Sequence, residues 1–230
     1  MFFDWTYLVI VFPFVILAMW AQVSVKSTYD KYSRVMSRRG VTAENAVRRI
    51  LDSNGLNHIT ITRVHGDLTD HYDPKNQTIA LSDAVYGNTS VAAIGVAAHE
   101  AGHAIQHAQA YAPLTARNAI VPVANFGSMM CMPLVLLGIL TSYYPLAYAG
   151  IILFSLSTIF QLLTLPTELN ASRRAMKILE GDGYLSDEEL IGTKKVLTAA
   201  AMTYIAALFV SLASLLRLII IVNGGRGRRR

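Results

Sequence analysis

The stretch that decides the fold is WTYLVIVFPFVILAMWAQV, residues 5–23, which holds no charged residue in 19 positions. About 20 apolar residues in a helix cross the roughly 30 Å hydrocarbon core of a bilayer. Trp5 and Trp20 lie near its ends, where aromatic side chains favour the membrane interface. No basic segment precedes the run and basic residues follow it, which is atypical of a cleaved signal peptide. We therefore expect a retained membrane span.

The composition of the whole chain agrees with a membrane protein. Of its 230 residues, 53% are hydrophobic and 15% are charged, whereas about 25% are charged in typical globular proteins. This composition excludes intrinsic disorder, and the single Cys131 excludes a disulfide scaffold and a cysteine-based zinc finger. The net charge is +5, but the basic residues flank apolar runs without an aromatic–basic module, so we expect no nucleic-acid partner.

Two further apolar regions complete the membrane part. Residues 120–166 are too long for one crossing and are interrupted near Pro145, which predicts a hairpin of two spans. Residues 196–222 are long enough for a fourth span, with Arg217 near its end. The predicted segments are a first span (1–25), a polar portion (26–118), a hairpin of spans 2 and 3 (119–166), a second polar segment (167–195), a fourth span or interfacial helix (196–223) and a basic tail (224–230).

The distribution of basic residues predicts the orientation. Of the 20 lysines and arginines, 10 lie between spans 1 and 2 and 5 lie between spans 3 and 4. A hairpin brings these polar segments to one side of the bilayer, and the positive-inside rule makes that side cytoplasmic. We expect a multi-pass protein of the cell membrane with both polar segments in the cytoplasm. If residues 196–222 cross the bilayer, the tail with its four arginines lies outside the cell, which conflicts with the positive-inside rule. If they lie along the membrane, the tail stays on the cytoplasmic side and agrees with the rule. We favour a crossing, with the tail at lipid headgroups.

The first polar portion has the pattern of a small α+β unit. VTAENAVRRILDSNG (41–55) places apolar residues on one face of a short helix. HITITRV (58–64) is rich in β-branched residues and indicates a strand, and a second strand follows a turn, over 77–81. SVAAIGVAAHEAGHAIQHAQA (90–110) predicts a largely apolar helix.

That helix contains His99-Glu100-Ala101-Gly102-His103, which matches the pattern H-E-x-x-H. Residues four apart share a helix face, so both imidazoles can reach one metal ion. Glu100, beside the first ligand, can accept a proton from a zinc-activated water. The pattern also occurs by chance, but these side chains are costly to bury in an apolar helix without a metal. We predict one zinc ion per chain, in a mainly α integral membrane protein with about four transmembrane helices and a small zincin-like α+β cytoplasmic portion.

A catalytic zinc normally has three protein ligands and an open position. His107 lies one turn beyond His103, about 6 Å further along the axis, which favours a supporting role. Gln106 and Gln109 stand where the metzincin pattern has glycine and histidine, so that class is excluded.

Glu168 is the other candidate for the third ligand. It follows the hairpin, which returns it to the side of the H-E-x-x-H helix, and its carboxylate can complete a His2Glu set. The residues alone allow a second interpretation. If the span ends at Pro166 and Thr167 caps a new helix, Glu168 is an acid that stabilises the N-terminus of that helix.

Three segments together resemble a known family: DHYDPKNQTIALSDAVYG (70–87), VAAHEAGHAIQHA (96–108) and LPTELNASRRA (165–175). They are similar to those of the bacterial membrane-embedded neutral zinc metallopeptidases of the YugP-like type, over almost the whole chain, and more distantly to the HtpX-like and CAAX prenyl proteases. The resemblance implies zinc on His99, His103 and Glu168, with Glu100 as the catalytic base. It implies a zinc-dependent endopeptidase, embedded in the lipid bilayer, that cleaves peptides or membrane and membrane-proximal proteins; a membrane-protein partner and a homo-oligomer stay open.

Other residues are needed to support the ligands and the reaction. The more distant group often has an aspartate four residues after the glutamate ligand, whereas this chain has Ser172, a weaker acceptor for an imidazole N–H. Asn170 and His71 are alternative supports. The oxyanion of the reaction needs a donor besides the metal, and the candidates are His71, Asn170, Arg173 and Arg174, although an arginine is equally suited to lipid headgroups. The strand Thr78, Ile79, Ala80 and Leu81 is expected to be an exposed edge to which an extended substrate adds, with an interior strand as the alternative.

Two other functions remain open. In a site-2-type intramembrane protease, residues 90–110 would themselves cross the bilayer and Asp182-Gly183 would supply the second motif. However, Asp182 lies in a charged segment, and the helix carries polar groups that are expensive in lipid. In a non-catalytic scaffold protein, the metal would only join the two polar segments and Glu100 would have no role in chemistry.

Overall fold

The computed structural model describes residues 5–227 as a mainly helical chain with one small sheet. A π-helical turn, Tyr7–Val11, leads into the first α-helix. The elements are α1 (Phe12–Tyr32), α2 (Ala43–Ser53), β1 (Thr60–Val64), β2 (His71–Asp73), β3 (Thr78–Ser82), α3 (Val91–Ala108), α4 (Ala112–Leu140), α5 (Tyr144–Gly181) and α6 (Asp187–Gly227). The predicted basic tail overlaps the end of α6, and its last residues, 228–230, lie outside the described part.

Within residues 5–227, four helices are long and apolar enough to cross a membrane, which confirms the predicted fold class. They are Tyr7–Tyr32, Ala112–Leu140, Tyr144–Gly181 and Asp187–Gly224. The helix α3 is not among them, so the H-E-x-x-H motif does not lie on a candidate span. Residues 196–222 form part of α6, which has the length and composition of a span.

The predicted start of a new helix after Pro166 is wrong. The helix α5 continues from Tyr144 through Pro166 to Gly181, and Thr167 is buried inside it rather than capping a new helix. A proline removes one backbone hydrogen bond from a helix, a loss that packing of the helix on both sides of the proline can outweigh. The helix α4 contains two internal prolines, Pro122 and Pro133, in the same way.

The described chain divides into two compact units, of which the first, the membrane unit, comprises residues 5–21, 115–166 and 203–227. In it, α4 and α5 approach closely at glycines. A Cβ on Gly127 would lie 2.5 Å from the Leu153 carbonyl oxygen, and one on Gly150 would lie 2.8 Å from the Cys131 carbonyl oxygen. Small residues at helix contacts are typical of membrane proteins. Large apolar side chains such as Leu140 are exposed, as expected for a surface in contact with lipid.

The second, the polar unit, comprises residues 22–114 and 167–202. Its core contains fully buried side chains from α2, the sheet, α3 and α5, namely Ile50, Leu51, Ile79, Leu81, Ile94 and Leu179. The N-terminus of α3 is capped by Ser90, whose Oγ accepts a hydrogen bond from the Ala93 N–H. The unit thus has the folded core that the amphipathic pattern of residues 41–55 indicates.

The sheet has the strand order β1-β3-β2, so β3 is its central strand. The expectation that Thr78, Ile79, Ala80 and Leu81 form an exposed edge is therefore wrong. The strand β3 pairs in parallel with β1 and antiparallel with β2, and Ile79 and Leu81 are fully buried. The sequence pattern does not reveal the edge strand β2 and indicates only a turn there. The strand's three residues are too short for an alternating pattern, and the turn residues Pro74 and Asn76 lie close by.

Candidate metal centre

Three potential ligands from two helices converge in the polar unit. His99 and His103 lie one turn apart on α3, and Glu168 lies on α5. The Glu168 Oε2 atom is 3.2 Å from His99 Nε2 and 3.4 Å from His103 Nε2. The two imidazole rings stand edge to face, with centroids 4.7 Å apart. Of the two candidates for a third ligand, Glu168 is the one placed beside both histidines.

The spacing of these three atoms fits a zinc ion. Ligand atoms about 2.0–2.2 Å from a tetrahedral zinc lie roughly 3.3–3.6 Å from one another, close to the two nitrogen–oxygen distances observed. All three ligand atoms lie within 4.8 Å of one another. Two imidazoles and a carboxylate are also a donor set that zinc commonly takes.

Each histidine has a partner at the ring nitrogen that faces away from Glu168. His99 Nδ1 lies 3.0 Å from Ser172 Oγ, and His103 Nδ1 lies 3.0 Å from Gln106 Oε1. A hydrogen bond at Nδ1 helps to select the tautomer whose Nε2 lone pair is available to a metal. Ser172, one turn after Glu168 on α5, thus lies where a support for His99 is needed.

Glu100 is a buried carboxyl group in the same part of α3, with 8% of its surface exposed. Burial raises the pKa of Glu100, while His99 and His103 oppose that rise. Burial lowers the pKa of His103, but the Glu168 and Glu100 carboxylates outweigh it and raise that pKa overall. The Glu168 and Glu100 carboxylates thus favour a positive charge beside them, which suits the centre to a cation.

A close contact between α3 and α5 sets the position of these groups. A Cβ on Gly102 would lie 2.7 Å from the Ala171 carbonyl oxygen, so only glycine allows the two backbones to approach this closely. Gly102 directly precedes His103, and Ala171 directly precedes Ser172. The close approach of α5 to α3, which brings Glu168 to the histidines, thus depends on a glycine at the second x of the H-E-x-x-H pattern.

The other residues considered from the sequence fall into two groups. Asn170 lies near the centre, since its Oδ1 accepts from Nε2 of Gln106, the partner of His103, and Arg174 Nε donates to the same oxygen at 2.7 Å. His71, His107 and Arg173 have exposed side chains. His71 Nδ1 lies 2.9 Å from the Thr69 carbonyl oxygen, and His107 Nδ1 lies 3.0 Å from the Tyr72 hydroxyl. His107 is thus engaged with the edge strand and is not part of the ligand group.

Sequence reasoning missed one residue of the centre. Gln106, which served only to exclude the metzincins, is fully buried beside His103. The signal was present, because Gln106 is a polar residue three positions after His103, on the same face of a largely apolar helix.

Comparison with known proteins agrees with this donor set. A family model described as "Putative neutral zinc metallopeptidase" matches residues 7–223. The chain belongs to this metallopeptidase family. A curated relative from Bacillus subtilis (strain 168), named "Putative membrane protease YugP", is 48% identical over 210 residues, which is 91% of this chain and 93% of the relative. No solved structure gives a significant match.

Membership of the metallopeptidase family confirms the resemblance stated from the three sequence segments. It also agrees with zinc as the metal that the two imidazoles and the carboxylate fit. The surroundings of α3 disfavour the alternative of a site-2-type intramembrane protease, in which this helix would cross the bilayer. Instead, α3 packs with α2, β2 and β3 in the polar unit.

Proposed function

We propose that this metallopeptidase is an endopeptidase that cleaves peptide bonds of membrane or membrane-proximal proteins at one zinc ion. His99, His103 and Glu168 are its ligands, and Glu100 is the general base. The observation that supports this most is the approach of Glu168 Oε2 to both Nε2 atoms, at 3.2 and 3.4 Å. The family and the "membrane protease" name of the relative support the substrate class.

The chain's own residues supply the proton transfers of the reaction. A zinc ion, when bound, polarises the peptide carbonyl and lowers the pKa of a water molecule. Glu100 accepts the proton of the attacking water as the carbon–oxygen bond forms. It then delivers that proton to the leaving amine as the carbon–nitrogen bond breaks. The position of Glu100 directly after the ligand His99 on α3, in a buried part of that helix, supports both steps.

The hydrogen bonds of the four candidate residues narrow the choice of the group that donates to the oxyanion. Asn170 Oδ1 and the Arg174 guanidinium are bonded to each other and to neighbouring glutamines, so we assign them a supporting role. His71 and Arg173 stay as candidates. Because His71 Nδ1 is bonded to the Thr69 carbonyl, its Nε2 can donate only from the imidazolium.

We place the extended substrate along β2 rather than β3. The strand β2 is an edge of the sheet, and its outer side, which pairs with no strand of residues 5–227, offers backbone groups to which a peptide can add. The Tyr72 hydroxyl of β2 bonds His107 of α3, which holds this edge next to the helix of the H-E-x-x-H motif.

We further propose that the polar unit faces the cytoplasm, as the positive-inside rule predicts. The single native cysteine, Cys131, is buried, so Cys131→Ser gives a cysteine-free background. A cysteine introduced at the exposed Lys177 should resist a membrane-impermeant maleimide in intact cells and react after lysis. Labelling in intact cells would reverse the proposed orientation.

The metal and the base can be tested separately in the purified full chain. We expect His99→Ala and Glu168→Ala to lose stoichiometric zinc. Glu100→Gln should retain zinc and lose cleavage of a library of fluorescence-quenched peptides, by a factor of at least about 100. Unchanged zinc in Glu168→Ala would refute the ligand set. Cleavage by Glu100→Gln at the parent's rate would refute the general base and leave the scaffold alternative.

A further inference from the structure

Gln106 is a fully buried polar residue for which the proposed reaction has no use. Its side chain nevertheless has a partner at each of its polar atoms. The Oε1 atom lies 3.0 Å from His103 Nδ1. The Nε2 atom lies 2.8 Å from the Thr167 carbonyl oxygen and 2.9 Å from Asn170 Oδ1, both on α5. A buried amide with its full set of partners defines one orientation.

The direction of each hydrogen bond follows from what its partner is able to do. A backbone carbonyl oxygen only accepts, so the Gln106 atom that faces Thr167 must be the NH2 group. The Arg174 guanidinium only donates, so the Asn170 atom that it contacts must be the carbonyl oxygen. That oxygen in turn requires the NH2 group of Gln106 to face it. Two acceptors on α5 therefore fix the orientation of the Gln106 amide.

This orientation determines which nitrogen of the neighbouring imidazole carries the proton. With its NH2 group directed at α5, Gln106 presents only an oxygen to His103, at 3.0 Å. An oxygen that can only accept requires a proton on His103 Nδ1. In the neutral ring the lone pair then lies on Nε2, the atom that is 3.4 Å from Glu168 Oε2.

We propose that Gln106 is a positioning residue that fixes the tautomer and the ring orientation of His103, so that Nε2 is presented to the metal. The proposal rests on the zinc site of the proposed function. His99 is held differently, because its partner is the Ser172 hydroxyl. A hydroxyl can rotate and either donate or accept, so it selects one tautomer less strongly than an oxygen that can only accept.

A purely structural role, in which Gln106 only ties α3 to α5, makes a different prediction. Because the proposed zinc site needs α3 and α5 close together, loss of that tie would lower both the thermal stability of the metal-free chain and the zinc affinity, without singling out either imidazole. Loss of a positioning role also lowers zinc affinity, commonly by about 10- to 100-fold for a supporting residue, but it acts on the His103 ring. The two roles are separated by measuring zinc affinity together with a readout at each imidazole.

The main variant is Gln106→Leu, which keeps the approximate side-chain volume and removes all three hydrogen bonds. Zinc affinity is measured on the purified full chain in detergent, by competition with a chromogenic chelator. We expect the dissociation constant to rise by about 10- to 100-fold. A constant within about twofold of the parent would overturn the proposal, whatever the change in melting temperature.

Cobalt(II) substitution gives a readout at the ring itself. Exchangeable N–H protons of metal-bound imidazoles give strongly shifted signals in the proton NMR spectrum of a cobalt(II) protein. In Gln106→Leu we expect the His103 Nδ1–H signal to be lost through exchange with water, while the His99 signal persists as an internal control. Retention of both signals would overturn the proposal.

A second pair of variants keeps the test decisive if Gln106→Leu does not fold. Asn170→Asp preserves an acceptor for both Gln106 and Arg174, so zinc affinity should stay close to that of the parent. Asn170→Leu removes that acceptor and should weaken affinity, by less than Gln106→Leu because the Thr167 carbonyl remains. Equal affinities in the two Asn170 variants would contradict the proposed chain of hydrogen bonds.

The outcome for the parent chain separates this inference from the proposed function. If the parent holds no stoichiometric zinc, the metallopeptidase site fails and the role of Gln106 fails with it. If the parent holds zinc and Gln106→Leu holds it equally tightly, only the positioning role is refuted.

Discussion

His99 and His103 belong to one motif and lie one turn apart on α3, but their rings are held in different ways. His103 meets a buried amide whose orientation is set by two acceptors on α5. His99 meets the Ser172 hydroxyl. Because its NH2 group is held by two acceptors, the amide can present only its oxygen to the imidazole. A hydroxyl, in contrast, can adapt to either tautomer. Two histidines of one sequence motif can thus differ in how strongly the fold prepares them for a metal.

The change with the largest expected effect acts on both histidines at once. Gly102→Ala places a Cβ 2.7 Å from the Ala171 carbonyl oxygen, so α3 and α5 must separate. Overpacking of this kind costs roughly 1–3 kcal/mol, and the separation should abolish stoichiometric zinc binding. Metal analysis and thermal unfolding of the purified chain measure the two effects. Gly181→Ala is the matched control, because a Cβ there meets nothing within 4 Å; equal zinc content in both variants would contradict the importance of the close approach.

The next effect is specific to His99. Ser172→Ala removes the partner of His99 Nδ1, and we expect the zinc dissociation constant to rise by about tenfold or less. The loss should be smaller than in Gln106→Leu, because the hydroxyl selects the tautomer less strongly. A larger loss in Ser172→Ala, measured by the same chelator competition, would reverse the comparison between the two histidines.

The weaker support of His99 also predicts a gain of affinity. Ser172→Asp offers His99 a carboxylate, a stronger acceptor for the Nδ1–H than a hydroxyl. We expect tighter zinc binding, by up to about tenfold. Ser172→Asn is the matched control, since it has nearly the same size as the aspartate without the charge. Equal affinity in the Asp and Asn variants would show that the charge of the acceptor does not matter at this position.

The outer end of the amide network should have a small effect. Arg174→Leu removes the donor to Asn170, but the Thr167 carbonyl still orients Gln106. We expect the zinc dissociation constant to change by at most about threefold, which is less than about 1 kcal/mol and typical of exposed charged contacts. A loss as large as that of Gln106→Leu would show that the guanidinium, rather than the backbone carbonyl, orients the amide.

The smallest effect is expected at the third histidine of α3. His107 is exposed and is bonded to the Tyr72 hydroxyl. His107→Ala should leave zinc content unchanged and zinc affinity within about twofold, as for most surface substitutions. Loss of zinc in this variant would restore His107 as a candidate ligand.

Much of the fold was predictable, because it depends on periodicity and length. Apolar runs of about 20 residues identify the four candidate spans, and the amphipathic pattern of residues 41–55 identifies α2. Predictions that depend on a local rule are weaker. The rule that a proline ends a helix fails at Pro166, where the packed helix α5 continues. The strand β2 is hidden by its neighbouring turn residues, and the mistaken edge assignment of β3 follows from that omission.

The amino-acid sequence was enough to give the chemical types of the centre: two histidines at helical spacing, a glutamate between them, and an acidic candidate after the hairpin. It could not decide between Glu168 as a ligand and Glu168 as a helix-terminal acid, because contacts between residues 69 positions apart leave no local pattern. Only the tertiary structure decided where that acid lies, by bringing α5 against Gly102 of α3 and the carboxylate beside both imidazoles. It also decided what Gln106 meets, because the direction of a hydrogen bond depends on which groups come together in space.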